Sequence, residues 1–113
     1  MLTPTTSYDA LCDGFDWALP ERLNMAVQVC DSWAEEAPDQ VAIIDLSAER
    51  DEVSYARLRA MADSLAHALV ARGVARGDRV GVLRSQDAWC AAAHIAIWKI
   101  GAMSSPLFRL FEQ

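Results

Sequence analysis

The sequence has no surplus of basic charge, no paired cysteines, no long apolar run and no phosphate-type glycine loop. Ten Lys and Arg stand against sixteen Asp and Glu in 113 residues, a formal net charge of −6. A chain of that sign has no electrostatic hold on nucleic acid. Its basic residues, Arg57, Arg59, Arg72, Arg76, Arg79 and Arg84 among them, are scattered between acids and make no patch for a lipid surface. Cys12, Cys30 and Cys90 are odd in number and far apart. That spacing argues against a disulfide framework and against structural zinc, and fits a reducing compartment. The opening MLTPTTSYDALCDGFDWALPER has neither a basic start nor an unbroken apolar run, so it does not read as a signal peptide. The longest apolar stretch, Ala88 to Trp98, is interrupted by His94 and falls short of the ~20 residues a membrane span needs. The expectation is a soluble, cytoplasmic protein.

What is present is enough apolar material, 53% of residues, for one small domain with a core. Residues 1–22 carry no periodicity and read as an extended N-terminal arm, and residues 23–113 as α/β structure. Asn24 is placed to cap a helix in which Ala26, Val27, Cys30, Trp33, Ala34 and Ala37 share a face, and Pro38 ends it. VAIIDL, 41–46, is a strand, and VSY returns it as a hairpin. Ser54 caps the next helix, whose apolar face is Leu58, Met61, Ala62, Leu65 and Leu69. RVGVL, 79–83, is a strand. Ser85 or Asp87 caps the helix SQDAWCAAAHIAIWKIGA, Gly101 closes it, and AMSSPLF is the last strand. The fold class is therefore α/β, with three helices and short strands that include a parallel strand–helix–strand unit, expected right-handed.

The stretch ARGVARGDRVGVL, 71–83, carries Gly73 and Gly77 between apolar segments, where a phosphate site would be sought. The glycines lie between a helix end and a strand start. Phosphate cradles run the other way, from a strand into a helix N-terminus whose amides point at the anion. The stretch is predicted to turn a corner. The loop RSQD, 84–87, is at the correct end but has no glycine.

Candidate chemistry is sparse. His67 and His94 each share a helix face with a residue one turn earlier, Asp63 and Cys90, but two ligands do not make a zinc site. Glu35 with Glu36 and Asp51 with Glu52 read as solvated charge. Cys90, near a helix N-terminus with His94 one turn on, has the spacing of an activated thiol, and its apolar neighbours argue for a buried, inert one. Ser104 and Ser105 lie in no nucleophile elbow. No catalytic residue and no metal ligand is assigned. The helix 87–100 is apolar almost all round, which needs cover on every side. A small two-layer domain would leave Trp89 and Trp98 partly exposed.

The ordered segments LNMAVQVCDSWAEEAPDQVAIID, VSYARLRAMADSLAHALVARGVARGDRVGVL and AAAHIAIWKIGAMSSPLF together resemble the start of the AMP-forming acyl-CoA synthetases, of the adenylate-forming superfamily. The matching residues are Pro38 and Asp39, then Ser54, Tyr55 and Leu58. Gly73, Val74, Gly77, Asp78, Arg79 and Val80 follow, and then Gly101, Ala102 and Pro106. The resemblance covers residues 15–113, and the ending PLFRLF is similar to the branch acting on medium-chain acids. It implies a piece of a larger N-terminal adenylation domain, in an acid–thiol ligase of fatty acid metabolism. Such an enzyme joins a carboxylate to ATP with Mg2+, releases pyrophosphate, and passes the acyl group to CoA. The family's phosphate loop with its lysine, its Tyr-Gly-x-Thr-Glu motif, its ribose-binding aspartate and its catalytic lysine are not among these residues. The resemblance thus implies an inactive piece that binds no cofactor alone and whose partner is the remainder of a synthetase chain. A Phe-Gly-Gly-Phe-like CoA contact of related enzymes is matched only at Phe108 and Phe111, because Arg109 and Leu110 replace both glycines. The alternative is a free-standing α/β interaction module that self-associates through helix 87–100, with Trp89 and Trp98 at the contact.

Overall fold

The computed structural model describes residues 7–17, 20–46 and 50–107. The first element is a short helix, α1 (Tyr8–Asp13), capped by Ser7, whose hydroxyl accepts from the Ala10 amide. It stands inside the stretch expected to be an extended arm. None of its residues is buried, so the local Ser cap, not burial, is what the structure shows holding it.

Asn24 Oδ1 accepts from the Ala26 amide at 3.0 Å and starts the next helix, as its sequence position predicts. This helix then widens into a π-helical turn, Val27–Asp31, before continuing as α2 (Ser32–Glu36). The wider turn changes which side chains share a face. Ala26, Cys30 and Ala34, four apart, are buried, while Val27 and Trp33 are exposed. An unbroken α-helical period would put all five on one face. Burial raises the Cys30 thiol pKa, and neighbouring Asp31 adds to the rise. Ala37, before Pro38, leaves the helical region.

β1 (Val41–Asp45) and β2 (Asp51–Ser54) pair antiparallel, with a bulge between Val41 and Ile43. Ser54 Oγ accepts from the Arg57 amide and opens α3 (Tyr55–Ala71). β3 (Arg79–Val82), α4 (Ala88–Lys99) and β4 (Met103–Pro106) follow, and β3 and β4 pair in parallel. Asp87, not Ser85, caps α4. The mixed α/β architecture is the one the sequence predicts, with α1 as a fourth helix.

The apolar girdle of α4 is explained by its position. Ala88, Ala92, Ile95 and Ala96 meet Leu58, Ala62 and Ala66 of α3, together with Val53 of β2 and Cys30. Cys90 and Ile97 meet Val82 and Ala102 at the β3–β4 pair. Alanines facing one another let two helix axes approach closely. Trp89 escapes and remains 46% exposed. Trp98 is only half-buried, but its indole Nε1 donates to Ser104 Oγ at 3.0 Å.

The single lysine of the sequence ties this helix layer together. Lys99 Nζ, at the end of α4, donates to Asp31 Oδ1 at 2.6 Å and to Asp63 Oδ1 of α3 at 2.5 Å. Arg59 lies beside the same acids, with its Nε 3.6 Å from Asp31 and its guanidinium 3.5 Å from Glu35. Burial acts to lower the Lys99 pKa, but the hydrogen bonds to Asp31 and Asp63 outweigh it and the net shift is upward. A raised folded-state value stabilises the fold below the unfolded lysine pKa, and that contribution is lost as pH rises through the folded value. Urea denaturation is expected to show stability falling above about pH 10 in the wild type. Lys99→Met is expected to flatten that limb and to cost about 1–3 kcal/mol at neutral pH by leaving Asp31 without its ammonium partner.

Candidate functional site

Two places could hold an anion, the glycine turn before β3 and the strand-to-helix turn before α4. The first is a helix ending. Gly73 has φ +88°. Its amide donates to the Val70 carbonyl at 2.9 Å, and the Val74 amide donates to the Leu69 carbonyl at 3.1 Å. That is the Schellman pattern, which spends the amides on the last carbonyls of α3. Gly77, at φ +91°, donates its amide to the Gly101 carbonyl at 3.0 Å, and Asp78 Oδ2 accepts from the Ala75 amide at 2.8 Å. The amides at Gly73, Val74, Ala75 and Gly77 are thus engaged within the protein, so the stretch turns a corner as predicted. Gly73→Ala or Gly77→Ala is expected to cost about 1–2 kcal/mol in thermal denaturation, because an alanine at such a φ is strained.

The second place has the correct polarity, but its own carboxylates occupy it. Asp87 Oδ1 accepts from the Cys90 amide at 2.8 Å. Asp45, at the end of β1, reaches across 43 residues of sequence to accept from the Ala88 amide at 2.9 Å. Arg84 clamps Asp87, with Nε to Oδ1 at 2.9 Å, and this hydrogen bond holds the Asp87 carboxyl below the usual carboxylate range. Two fixed negative charges at the helix end complement its dipole and repel a phosphate. Sequence reading recognised the Asp87 cap and missed Asp45. Its partner is distant in the chain, and no local pattern announces it.

An open groove of about 640 Å³ lies between β1 and the start of α4, lined by Ile43, Ile44, Asp45, Cys90, Ala91 and His94 among others. Its walls are mainly apolar and its carboxylates are engaged with amides or Arg84, which gives it no reactive group poised for a substrate. Cys90 is buried. His94 is half-buried beside Trp98, with ring centroids 5.9 Å apart. His67 is exposed, and Asp63 on its helix faces Lys99 instead. Among the described residues no three His, Cys, Asp or Glu side chains gather as a metal site. No helix among them is long and apolar enough to cross a membrane. Glu35 and Asp51, expected to be solvated charge, pair at the surface with Arg59 and Arg57. Phe108 and Phe111, the candidate CoA contacts, lie outside the described residues.

The element order, with a strand–helix–strand unit preceded by a hairpin and a long helix, defines the class as an α/β nucleotide-enzyme segment rather than a self-sufficient site. The chain belongs to the AMP-binding enzymes, whose family pattern matches residues 30–113. It is 35% identical over 99 residues to an acetyl-coenzyme A synthetase of Magnetococcus marinus, covering 85% of this chain and 15% of that protein. It is 33% identical over 110 residues to the acetyl-coenzyme A synthetase of Shewanella putrefaciens, covering 95% and 17%. It is also 37% identical over 73 residues to the malpibaldin synthetase of Mortierella alpina, covering 65% and 1%. The chain thus spans about a sixth of the length of the acetyl-coenzyme A synthetases it matches. These names give no support to the medium-chain branch in particular.

The Asp45 contact has a measurable consequence. Asp45→Ala is expected to lower stability by about 1 kcal/mol, the usual value of a cap, and to loosen the hairpin from α4. Asp87 is linked to pH in the opposite sense to Lys99. Its depressed folded-state pKa gives stability present above the unfolded value, about 4, that is lost as pH falls through the folded value. Asp87→Asn is expected to reduce that acid-side loss in a denaturation series from pH 6 to pH 2.

Proposed function

We propose that this chain is the N-terminal scaffold of an AMP-forming acyl-CoA synthetase and is not catalytic by itself. The observation that carries the reading is the family match over residues 30–113, which takes in most of the described helices and every strand. The whole enzyme would join a carboxylic acid to ATP with loss of pyrophosphate and then transfer the acyl group to CoA, as an acid–thiol ligase. The relatives' names favour acetate as the acid, and the PLFRLF ending favours a medium-chain acid of fatty acid metabolism.

The described residues do not fit ATP or its magnesium. The amides of the glycine turn are spent on helix and turn carbonyls, and the α4 N-terminus is filled by Asp45 and Asp87. What these residues do is build and lock a helix–strand layer on which the binding parts of such an enzyme rest. Phe108 and Phe111 are the positions proposed to approach CoA. Three free cysteines support a reducing, cytoplasmic setting.

A second reading, a self-associating module, is favoured by one observation, the exposed ring of Trp89. Trp98 supports it less, since its indole is tied to Ser104. Carboxylate-dependent ATP–pyrophosphate exchange tests the first reading. The 113-residue chain is expected to give none, and the polypeptide encoded by its reading frame past Gln113 is expected to give exchange, with acetate and hexanoate compared as acids. Exchange by the chain alone would overturn the scaffold role. A stop codon after Gln113, together with a dimer in sedimentation that Trp89→Glu dissociates, would favour the module.

A further inference from the structure

The β3–β4 pair leaves a particular gap. The Met103 amide donates to the Asp78 carbonyl at 2.7 Å and the Leu107 amide to the Val82 carbonyl at 2.9 Å, in the register Arg79↔Met103 to Val82↔Pro106. In a parallel ladder only alternate residues of a strand bond a given neighbour. Asp78, Val80 and Val82 therefore address β4, and the amide groups of Arg79 and Gly81 point to the other edge of β3. On β4 the outward residues are Ser104 and Pro106. Proline has no N–H, and it marks an edge that does not continue. Among the described residues the sheet holds these two strands alone.

The faces of the pair are equally unequal. Val82 packs toward α4. On the opposite face Leu83, Met103 and Leu107 are each about half exposed, and the space where a Gly81 side chain would stand is 3.1 Å from Leu107 Cδ1. Parallel sheets are stable when both faces are covered, and a two-stranded one bare on one face is incomplete.

We infer that the free edge of β3, not that of β4, receives a further β-strand, and that the strand comes from the longer synthetase polypeptide. The inference rests on the synthetase reading above. The occupant follows from scale, because this chain spans about a sixth of the acetyl-coenzyme A synthetases it matches. Arg79 and Gly81 offer the backbone groups, Pro106 denies them on the far side, and the Leu83–Met103–Leu107 face takes the apolar layer that accompanies the strand.

Amide hydrogen exchange by NMR tests this, on the 113-residue chain and on the polypeptide its reading frame encodes. In the chain alone Val80 and Val82 are expected to be slow and Arg79 and Gly81 fast. In the longer polypeptide Arg79 and Gly81 are expected to slow by about 100-fold or more, with Ser104 still fast, since a paired amide opens only with its foldon. Slowing at Ser104, or unchanged Arg79 and Gly81, overturns the choice of edge while leaving the synthetase reading in place. Protection of Arg79 and Gly81 in the chain alone, with a dimer mass, gives the edge to a second copy and overturns the occupant. A frame that stops at Gln113 removes the synthetase reading itself, and with it this occupant.

Discussion

Helix α4 has no polar face to offer water, and the rest of the fold is arranged around that constraint. One side of it is taken by α3 and the hairpin, the other by the β3–β4 pair. The burial is achieved largely with alanines, which contribute little area each but let helices lie close. Close packing of small residues leaves register weakly specified, since one alanine fits a neighbouring gap as well as another. Polar contacts supply the missing specificity. Lys99 fixes the far end of α4 to Asp31 and Asp63, and Asp45 fixes the near end to the hairpin.

Those polar contacts also decide what the segment can do. A helix N-terminus after a strand is the natural seat for a phosphate. Here it is furnished with two aspartates, one borrowed from another strand. The place where an α/β enzyme might hold a nucleotide is used for internal bonding, consistent with a scaffold role inside a larger catalytic unit.

Much of this was legible in the sequence because it is written locally. Asn24, Ser54 and Asp87 cap the helices where their positions indicate, and Gly73 and Gly101 end two of them. The strands lie in their apolar runs, and the glycine turn is a corner. The misses have a common cause. Asp45 and Ala88, or Lys99 and Asp31, are partners separated by 43 and 68 residues, and neither end carries a mark of the other. The π-turn escapes a reading that holds the helical period at 3.6 throughout, which puts Val27 and Trp33 with Cys30. The helix Tyr8–Asp13 escapes because its six residues are too few to show any period. As for the candidate site, the absence of a phosphate loop could be read from spacing, whereas the carboxylate filling of the α4 N-terminus required the fold.

The hydrogen bond from the Gly77 amide to the Gly101 carbonyl joins two places that are each a helix exit. Gly101 closes α4 as Gly73 closes α3, with the Ala102 amide returning to Ile97 and the Gly101 amide to Trp98. The chain leaving one helix is thereby pinned to the chain leaving the other. Lengthwise sliding of α4 along α3 would have to break this pin and the Lys99 tie together. Over evolutionary time the alanine seam can therefore drift in size and shape while the two helices keep their relative phase, like a zip whose teeth wear but whose stop does not move.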